Sequence, residues 1–181
     1  MTRSELSSRA ESVIRPVVEA DWAQVWPIVR QVVRDGDTFT YDPAMTESEA
    51  RGTWLERPPG LTVVAEGAAA VPENPQAGRI AGTAKMGPNK AGPGAHVATA
   101  SFMVAAGHRG QGVGTALCRF AIDWAREQGY AGIQFNAVAE SNAGAVQVYR
   151  RLGFSVIGTV PRAFEHPTLG RVGLHVMYLE F

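Results

Sequence analysis

One glycine-rich stretch, residues 104–117, constrains this chain more than any other part of its sequence. An apolar run predicts a strand that enters the stretch, and a helical pattern leaves it. Between them, Gly110, Gly112 and Gly114 remove Cβ atoms, so the backbone can turn sharply and come close to a ligand. The first turn of the next helix has unpaired N–H groups and a partial positive charge. The stretch therefore predicts a phosphate or pyrophosphate site, to which Arg109 adds a positive charge.

Two well-known glycine patterns do not fit this stretch. The dinucleotide fingerprint needs its third glycine three residues after the second, whereas Gly110, Gly112 and Gly114 are spaced two apart. A nucleotide-triphosphate loop needs Gly-Lys-Ser or Gly-Lys-Thr, whereas Val113 follows Gly112. What remains is Arg-x-x-Gly-x-Gly, beginning at Arg109. This pattern resembles the pyrophosphate-binding motif of the GCN5-related N-acetyltransferase (GNAT) family, which moves an acetyl group from acetyl-coenzyme A to an amine. A glycine-rich turn without a ligand is the alternative.

Composition limits the class of partner. The 181 residues are 45% hydrophobic and carry a formal net charge of zero, which favours one compact domain and gives no electrostatic case for binding nucleic acid or a membrane surface. Residues 1–11 are expected to be a disordered polar tail, and residues 12–181 the domain. The N-terminus has no apolar core of signal-peptide length, so a cytoplasmic location is expected. The single cysteine, Cys118, is interpreted as a buried structural thiol.

Seven stretches have the apolar or alternating pattern of strands. A helix separates the fourth from the fifth, which predicts that these two are parallel neighbours, whereas the strands in the middle of the chain should be antiparallel. An irregular segment rich in Ala, Pro and Gly is expected to be a loop between the second and third strands, and residues 161–167 to be a loop between the last two. The strands are expected at residues 13–17, 61–65, 79–86, 96–104, 132–138, 155–160 and 172–179.

Four helices are predicted between these strands. The first begins at Asp21, which forms a capping box with Gln24, and Pro27 should kink or split it. Residues 35–43 should be a loop because they are rich in turn-forming residues. The second helix is capped by Thr46 and Glu49. The third follows the glycine turn and ends at Gly129, and the fourth begins at Ser141 or Asn142 and ends before Gly153.

A second motif lies in the fourth helix and supports the same family. Asn142, Tyr149 and the closing Leu152-Gly153-Phe154 are similar to the family's late helix, in which an Asn contacts the pantetheine arm or the pyrophosphate region and a Tyr reaches the coenzyme sulfur. Taken alone, Asn142 is also a common helix cap, and Tyr149 a common core aromatic.

The resemblance implies an α/β (α+β) fold: one domain with a central, mostly antiparallel mixed sheet, a splayed parallel strand pair and flanking helices. It implies that acetyl-coenzyme A is the co-substrate and that no metal is needed. Pantetheine would hydrogen-bond to a splayed strand as an added strand does. Transfer would be direct, because Cys118 lies on the wrong element to be a nucleophile. The coenzyme contacts implied are Phe102, Met103, Val104, Arg109, Gly110, Gln111, Gly112, Val113, Gly114, Thr115, Asn142 and Tyr149.

The catalytic residues are less evident than the coenzyme site. A backbone N–H near Val104 would stabilise the carbonyl oxyanion, and Tyr149 would be the general acid that protonates the departing sulfur. Family members often have a glutamate near the strand that precedes the glycine turn, but residues 97–107 contain none. The candidates for the general base are Glu140, which ranks first, His96, or a water held by Thr99, Ser101 or Asn136.

Two loops would line the acceptor pocket in a fold of this family. The first contributes Thr38, Phe39 and Tyr41, and the second Arg162 and Phe164, with His166 beside them. Such a set suits a small primary amine that bears an apolar part or a carboxylate. Residues 36–39 are loosely similar to the branch that acetylates phosphinothricin and related amino acids. The same residues are equally compatible with a surface lid or with a homodimer contact.

Two other classes of function were left open by the sequence. A non-catalytic module that binds acetyl-coenzyme A is favoured slightly by the missing strand glutamate and disfavoured by Tyr149. A nucleotide-binding enzyme would bind NAD or ATP more tightly than coenzyme A.

Overall fold

The structure of the chain, a computed structural model, describes residues 13–67 and 79–181. The expected polar tail at residues 1–11 lies outside the described residues, as does most of the expected loop between the second and third strands. Within the described ranges, the order of strands and helices predicted from the sequence is confirmed.

In the part of the chain that the structure describes, seven strands form one mixed sheet in the order β1-β2-β3-β4-β5-β7-β6. Neighbouring strands are antiparallel except for β4 and β5, which are parallel, as the intervening helix predicted. The strands are β1 (Ile14–Pro16), β2 (Leu61–Glu66), β3 (Ile80–Pro88), β4 (Val97–Val104), β5 (Gly132–Ala139), β6 (Ser155–His166) and β7 (Gly170–Glu180).

In the described ranges, four α-helices cover the two faces of this sheet, and each face has its own hydrophobic core. The helices are α1 (Trp22–Asp35), α2 (Glu47–Trp54), α3 (Val113–Glu127) and α4 (Ala143–Arg151). Leu117 of α3 and Val146 of α4 belong to one core, and Val29 of α1 and Trp54 of α2 to the other. We call these two sides of the sheet the α3 face and the α1 face. No helix of the described ranges is long and apolar enough to cross a membrane.

The start of α1 differs from the prediction. Asp21 and Gln24 do not form a capping box, because the Asp21 carboxylate accepts hydrogen bonds from the Val18 N–H at 2.8 Å and from Arg15. Gln24 instead accepts a bond from the N–H of Ile80 in β3. A single 3-10 turn, Glu19–Asp21, precedes the helix. Asp21 is therefore used by the preceding turn and by Arg15, and Gln24 by a tertiary contact.

Pro27 lies within α1, and the helix continues through it, so of the two expected effects the split does not occur. A proline in this position deprives the carbonyl of Ala23 of its helical hydrogen bond. Ala23 and Pro27 are both exposed, so water can satisfy that carbonyl. The buried side of α1 keeps its apolar stripe, which packs on the sheet.

The predicted caps of α2 and α4 are confirmed. Thr46 and Glu49 form the reciprocal capping box at α2. Of the two candidates at α4, Asn142 is the cap, since its side-chain oxygen accepts a bond from the N–H of Ala145 at 3.2 Å.

The end of the chain also differs from the prediction, because β6 continues through most of the expected loop at residues 161–167. Val160 pairs with Leu174 and Phe164 with Val172, so the three residues 161–163 form a bulge in β6 opposite Gly173. Strand β6 is at the edge of the sheet, where a proline such as Pro161 costs little because one side of the strand needs no partner.

Candidate active site

A gap between β4 and β5 organises the candidate site. The two strands pair only at Val97 with Gly132 and at Ala98 with Ile133, and beyond these positions they diverge. The gap opens into a cleft of about 1700 Å³. Sites for single small ligands usually have volumes of about 300–1,000 Å³. The cleft is therefore large enough for two ligands side by side.

The cleft reaches both faces of the sheet. Ala100 and Phe102 of β4 belong to the core of the α3 face, whereas Met103 belongs to the core of the α1 face. Because side chains alternate along a strand, Thr99 and Ser101 lie on the α1 face with Met103. All five residues line the cleft. A molecule in the gap can therefore contact groups on both sides of the sheet.

The glycine turn lies on the α3 face at the wide end of the cleft. Gly110 and Gly112 have φ of 77° and 88°, in the left-handed region that favours glycine. An added Cβ would meet nothing within 4 Å at either position, so the space above them is open. Helix α3 begins directly after Gly112.

Backbone donors in this turn point to an anionic ligand. Among the described residues, no group accepts a hydrogen bond from the N–H groups of residues 112–115. These donors lie at a helix N-terminus, where the partial positive charge of the helix adds to their own. The turn thus has the chemistry of a pyrophosphate site, and the residues present fit coenzyme A at this end of the cleft.

Arg109 lines the cleft beside the turn, but its guanidinium has a partner. Its Nη2 lies 3.5 Å from the Oδ2 of Asp35, the last residue of α1. The Arg109 side chain is 53% exposed, so this ion pair is weak and a phosphate can compete for the guanidinium. Gln111 donates a hydrogen bond from its side chain to the carbonyl of Gly107, which closes the turn.

Tyr149 of α4 lines the cleft as part of an aromatic cluster. Its ring lies 4.7 Å from that of Phe135 and 6.2 Å from that of Phe102, measured between centroids. Phe154 stacks on Phe135 at 4.4 Å and completes the cluster. Among the described residues, the Tyr149 hydroxyl has no hydrogen-bond partner. Tyr149 is thus both a packing residue and a potential donor into the cleft.

Burial controls the protonation of two groups near this cluster. It raises the pKa of Tyr149 above its usual range, with the nearby Cys118 adding to the shift, so the phenol keeps its proton at neutral pH. Burial also raises the pKa of the Cys118 thiol to about 12. Cys118 is fully buried in α3, so it is protonated and out of contact with the cleft. Both findings agree with direct transfer to an amine, without a cysteine acyl-enzyme.

Glu140 does not line the cleft and makes a structural contact instead. Its Oε1 accepts a hydrogen bond from the N–H of Gly173 at 2.7 Å. The carbonyl of Gly173 accepts a bond from the Glu140 N–H in turn, so the two residues are joined twice just beyond the end of β5. Glu140 is not among the residues that line the cleft. Its role as general base stays a prediction, and the contacts indicate that it holds the end of β5 to β7.

The remaining base candidates divide into two groups. His96 is exposed, lies at the paired end of β4 and β5 outside the cleft lining, and contacts the carbonyl of Pro93. Thr99, Ser101 and Asn136 all line the cleft, but the side chain of Asn136 is already bonded to those of Gln134 and Asn89, and the role of these residues in holding a water stays a prediction.

The two loops predicted to line the acceptor pocket behave differently. Thr38, Phe39 and Tyr41 line the cleft at the α1 face. Arg162 and Phe164 do not, because the segment that contains them is part of the edge strand β6 and not a loop. Arg162 is exposed in the bulge with φ of 55°, and Phe164 is buried.

Several residues that line the cleft were not predicted from the sequence. Their polar side chains come from the glycine turn, α3 and α4. Those of α3 lie on the polar side of an amphipathic helix, and in a sequence such a pattern gives no signal of a ligand. The additional charged and titratable side chains are His108, Arg119, Asp123 and Arg151. Asp37, which also lines the cleft, belongs to the loop that was predicted at the acceptor pocket, but no role of its own was predicted for it. No group of three metal-binding side chains exists among the described residues.

Comparison with known protein families gives an independent line of evidence. The family model described as acetyltransferase (GNAT) family matches residues 26–154. A streptothricin acetyltransferase from Streptomyces lavendulae is 43% identical over 76 residues, which are 42% of this chain and 39% of that protein. The chain thus matches well under half the length of that relative.

Solved structures agree over nearly the whole chain. A GCN5-related N-acetyltransferase from Kribbella flavida has 49% identity and a TM-score of 0.86, with 93% of this chain and 97% of that chain covered. A phosphinothricin acetyltransferase of the GNAT superfamily from Sinorhizobium meliloti, in complex with AcCoA, has 18% identity and a TM-score of 0.79, with 94% and 89% covered. The second likeness concerns the fold alone.

Proposed function

The chain belongs to the acetyltransferase (GNAT) family, and on that premise we propose that it is an acetyl-coenzyme A-dependent N-acetyltransferase that acts on a primary amine of a small molecule. One observation carries this proposal: β4 and β5 separate after two paired positions, directly beside a helix N-terminus with free N–H groups. The gap suits an amide-rich arm, and the turn suits the pyrophosphate at the end of that arm.

The proposed contacts divide the coenzyme into two parts. The N–H groups of residues 112–115 bind the pyrophosphate, with Arg109 and Gln111 beside them. The backbone at residues 102–104 of β4 binds the pantetheine arm as a neighbouring strand would. Asn142 keeps its role as the cap of α4 and contacts the arm from the other side of the gap. Acetyl-coenzyme A, when bound, supplies an activated acetyl thioester.

The reaction requires residues that stabilise the carbonyl oxyanion and a residue that protonates the departing sulfur. A neutral amine must reach the thioester carbonyl from the α1 face, and negative charge that develops on the carbonyl oxygen must be stabilised, for which we propose a backbone N–H near Val104. The departing sulfur then needs a proton. The Tyr149 hydroxyl is free to donate it, because burial keeps the phenol protonated and no other group competes for its hydrogen among the described residues.

Calorimetry with acetyl-coenzyme A, followed by a free-thiol release assay against a panel of amines, tests the proposal. We expect binding of acetyl-coenzyme A and amine-dependent release of thiol. Binding without amine-dependent release across a broad panel would support a non-catalytic binding module instead. Tighter binding of NAD or ATP than of coenzyme A would contradict both the acetyltransferase and the non-catalytic module. A homodimer stays a prediction, and gel filtration with light scattering tests it on the same samples.

A further inference from the structure

The acceptor end of the cleft contains a carboxylate without a partner. Asp37 lies two residues beyond the end of α1, is half-buried and lines the cleft. Among the described residues, it makes no hydrogen bond and no ion pair. A half-buried carboxylate without a counter-ion has lost part of its hydration without compensation. Such a group is suited to bind a cation that the structure does not contain.

Aromatic rings accompany this carboxylate. Phe39 and Tyr41 stack with ring centroids 5.6 Å apart and both line the cleft. Phe39 also packs edge-on against Trp54 of α2 at 6.3 Å, which ties the loop to the core of the α1 face. Aromatic faces attract ammonium groups, and a nearby carboxylate adds the complementary charge. The loop therefore combines the two features by which proteins recognise organic cations.

Positive charge in the cleft is concentrated at the other end. The cations of the cleft lining among the described residues come from the glycine turn, α3 and α4: Arg109, Arg119 and Arg151. Of these, Arg109 contacts the end of α1, where its guanidinium forms the ion pair with Asp35. Arg162, which would suit a carboxylate-bearing acceptor, lies outside the cleft on β6. The acceptor end thus has a carboxylate and no free cation in the described part of the chain.

From this arrangement we infer that Asp37 binds the ammonium group of the acceptor and takes its proton, and that the acceptor is a cationic amine without a carboxylate next to the amine. This inference rests on the proposed acetyltransferase function and names its substrate class. The proton leaves the ammonium nitrogen for the Asp37 carboxylate. The neutral nitrogen forms a bond to the acetyl carbon, the carbon–sulfur bond breaks, and the sulfur receives the proton of Tyr149. The second amine proton passes to the Tyr149 phenolate, and Asp37 releases the first proton to solvent, so both groups return to their starting state.

Matched pairs of amines that differ only in a carboxylate test the substrate class. Tyramine and tyrosine, cadaverine and lysine, and agmatine and arginine are compared by thiol release and, in the presence of coenzyme A, by calorimetric affinity. We expect the carboxylate-free member of each pair to bind at least about tenfold more tightly and to react with a higher kcat/KM. Equal or better binding of the amino acids would overturn the inference and leave the acetyltransferase proposal standing.

The variant Asp37→Asn tests the residue itself. We expect it to lower kcat/KM for the carboxylate-free amines by about 10²-fold, to remove the preference within each pair, and to steepen the rise of activity with pH, because only amine already neutral in solution can then react. Asp37→Glu should restore part of the preference. Asp42→Asn is the matched control, because Asp42 lies in the same loop outside the cleft lining and an amide oxygen can still accept the bond from the Ala44 N–H.

The outcomes separate the inference from the function on which it rests. Retention of the pairwise preference in folded Asp37→Asn protein, with unchanged circular dichroism and unchanged affinity for coenzyme A, would refute the role of Asp37 alone. No thiol release with any amine from the wild-type protein would refute the acetyltransferase proposal, and the acceptor site with it.

Discussion

The two faces of the sheet present different kinds of groups beside the gap between β4 and β5. On the α3 face the proposed binding groups are backbone N–H groups, presented by a turn whose shape depends on glycines. On the α1 face the proposed binding groups are the side chains of Asp37, Phe39 and Tyr41, in a loop that aromatic packing holds in place. A backbone site is tied to its fold, whereas a side-chain site can change its ligand by one substitution.

The largest expected effect is on the α3 face. Gly112→Asp should abolish measurable binding of acetyl-coenzyme A by calorimetry, because a carboxylate at a position with φ of 88° would strain the turn and repel the pyrophosphate. The loss should be the same for every amine in the thiol-release assay.

The variant Gly112→Asn is its control, since it adds the same bulk and similar backbone strain without the charge. A folded Gly112→Asp protein with unchanged affinity would contradict the assignment of this turn to the coenzyme.

The next effect concerns Tyr149, which packs on the α3 face and lines the cleft. In Tyr149→Phe, the aromatic cluster keeps its packing and loses one hydroxyl. We expect turnover to fall by about 10²-fold, the usual scale for a positioned acid, while the affinity for acetyl-coenzyme A stays nearly the same. Single-turnover kinetics with a highly reactive amine should be used, so that chemistry limits the rate.

Tyr130→Phe is the matched control for this experiment. Tyr130 is also half-buried and packs against Trp124 at 5.4 Å, but it does not line the cleft. Near wild-type turnover in both variants would leave Tyr149 as part of the coenzyme wall only.

A smaller effect is expected for Arg109, whose ion pair with Asp35 joins the glycine turn to the end of α1. A charge-assisted contact is worth about 1.5–3 kcal/mol, and the exposure of this side chain favours the lower end. Arg109→Ala should therefore weaken binding of acetyl-coenzyme A about tenfold, with a smaller loss at high salt.

Asp35→Asn sharpens this test because it frees the guanidinium. Affinity for acetyl-coenzyme A that stays level or rises in Asp35→Asn would agree with a phosphate contact. A tenfold loss in both variants would mean that the ion pair matters only for the shape of the turn.

The smallest effect should come from Glu140. Because the amide oxygen of Gln can still accept the bond from the Gly173 N–H, Glu140→Gln should change kcat by less than about threefold at every pH between 6 and 9. A general base would instead cost about 10²-fold or more and alter the pH profile. The pH profile of kcat/KM decides between these outcomes, and a large loss would return Glu140 to the role that the sequence first suggested.

The sequence indicated the glycine turn and the cap of α4 but gave Asp37 no role of its own, for a physical reason. Glycines with positive φ and a capping Asn142 are local requirements of the backbone, so they leave a local pattern. The role proposed for Asp37 depends on what surrounds it in space: a cleft, two aromatic rings and, among the described residues, no counter-ion. Its neighbours in the sequence placed it in a loop at the acceptor pocket and indicated no ligand for its carboxylate.

Errors about the fold have the same origin. Asp21 and Gln24 have the spacing of a capping box, but the oxygens of Asp21 accept bonds from Arg15 and Val18 just before the helix, and that of Gln24 accepts one from the N–H of Ile80 in a distant strand. Pro161 marks a loop by its composition, yet an edge strand with a bulge tolerates it. In each case a tertiary partner outweighed a local preference.

The short pairing of β4 with β5 has a consequence for the amount of protein in a cell. The parallel strands share only two paired positions, so the two halves of the sheet are joined weakly at its centre. A ligand that fills the gap and binds only the folded chain raises its stability by mass action, about 2.7 kcal/mol at one hundred times its dissociation constant. Starvation for the coenzyme would then shorten the lifetime of the protein as well as slow its reaction, and its abundance would follow the metabolic supply of acetyl groups.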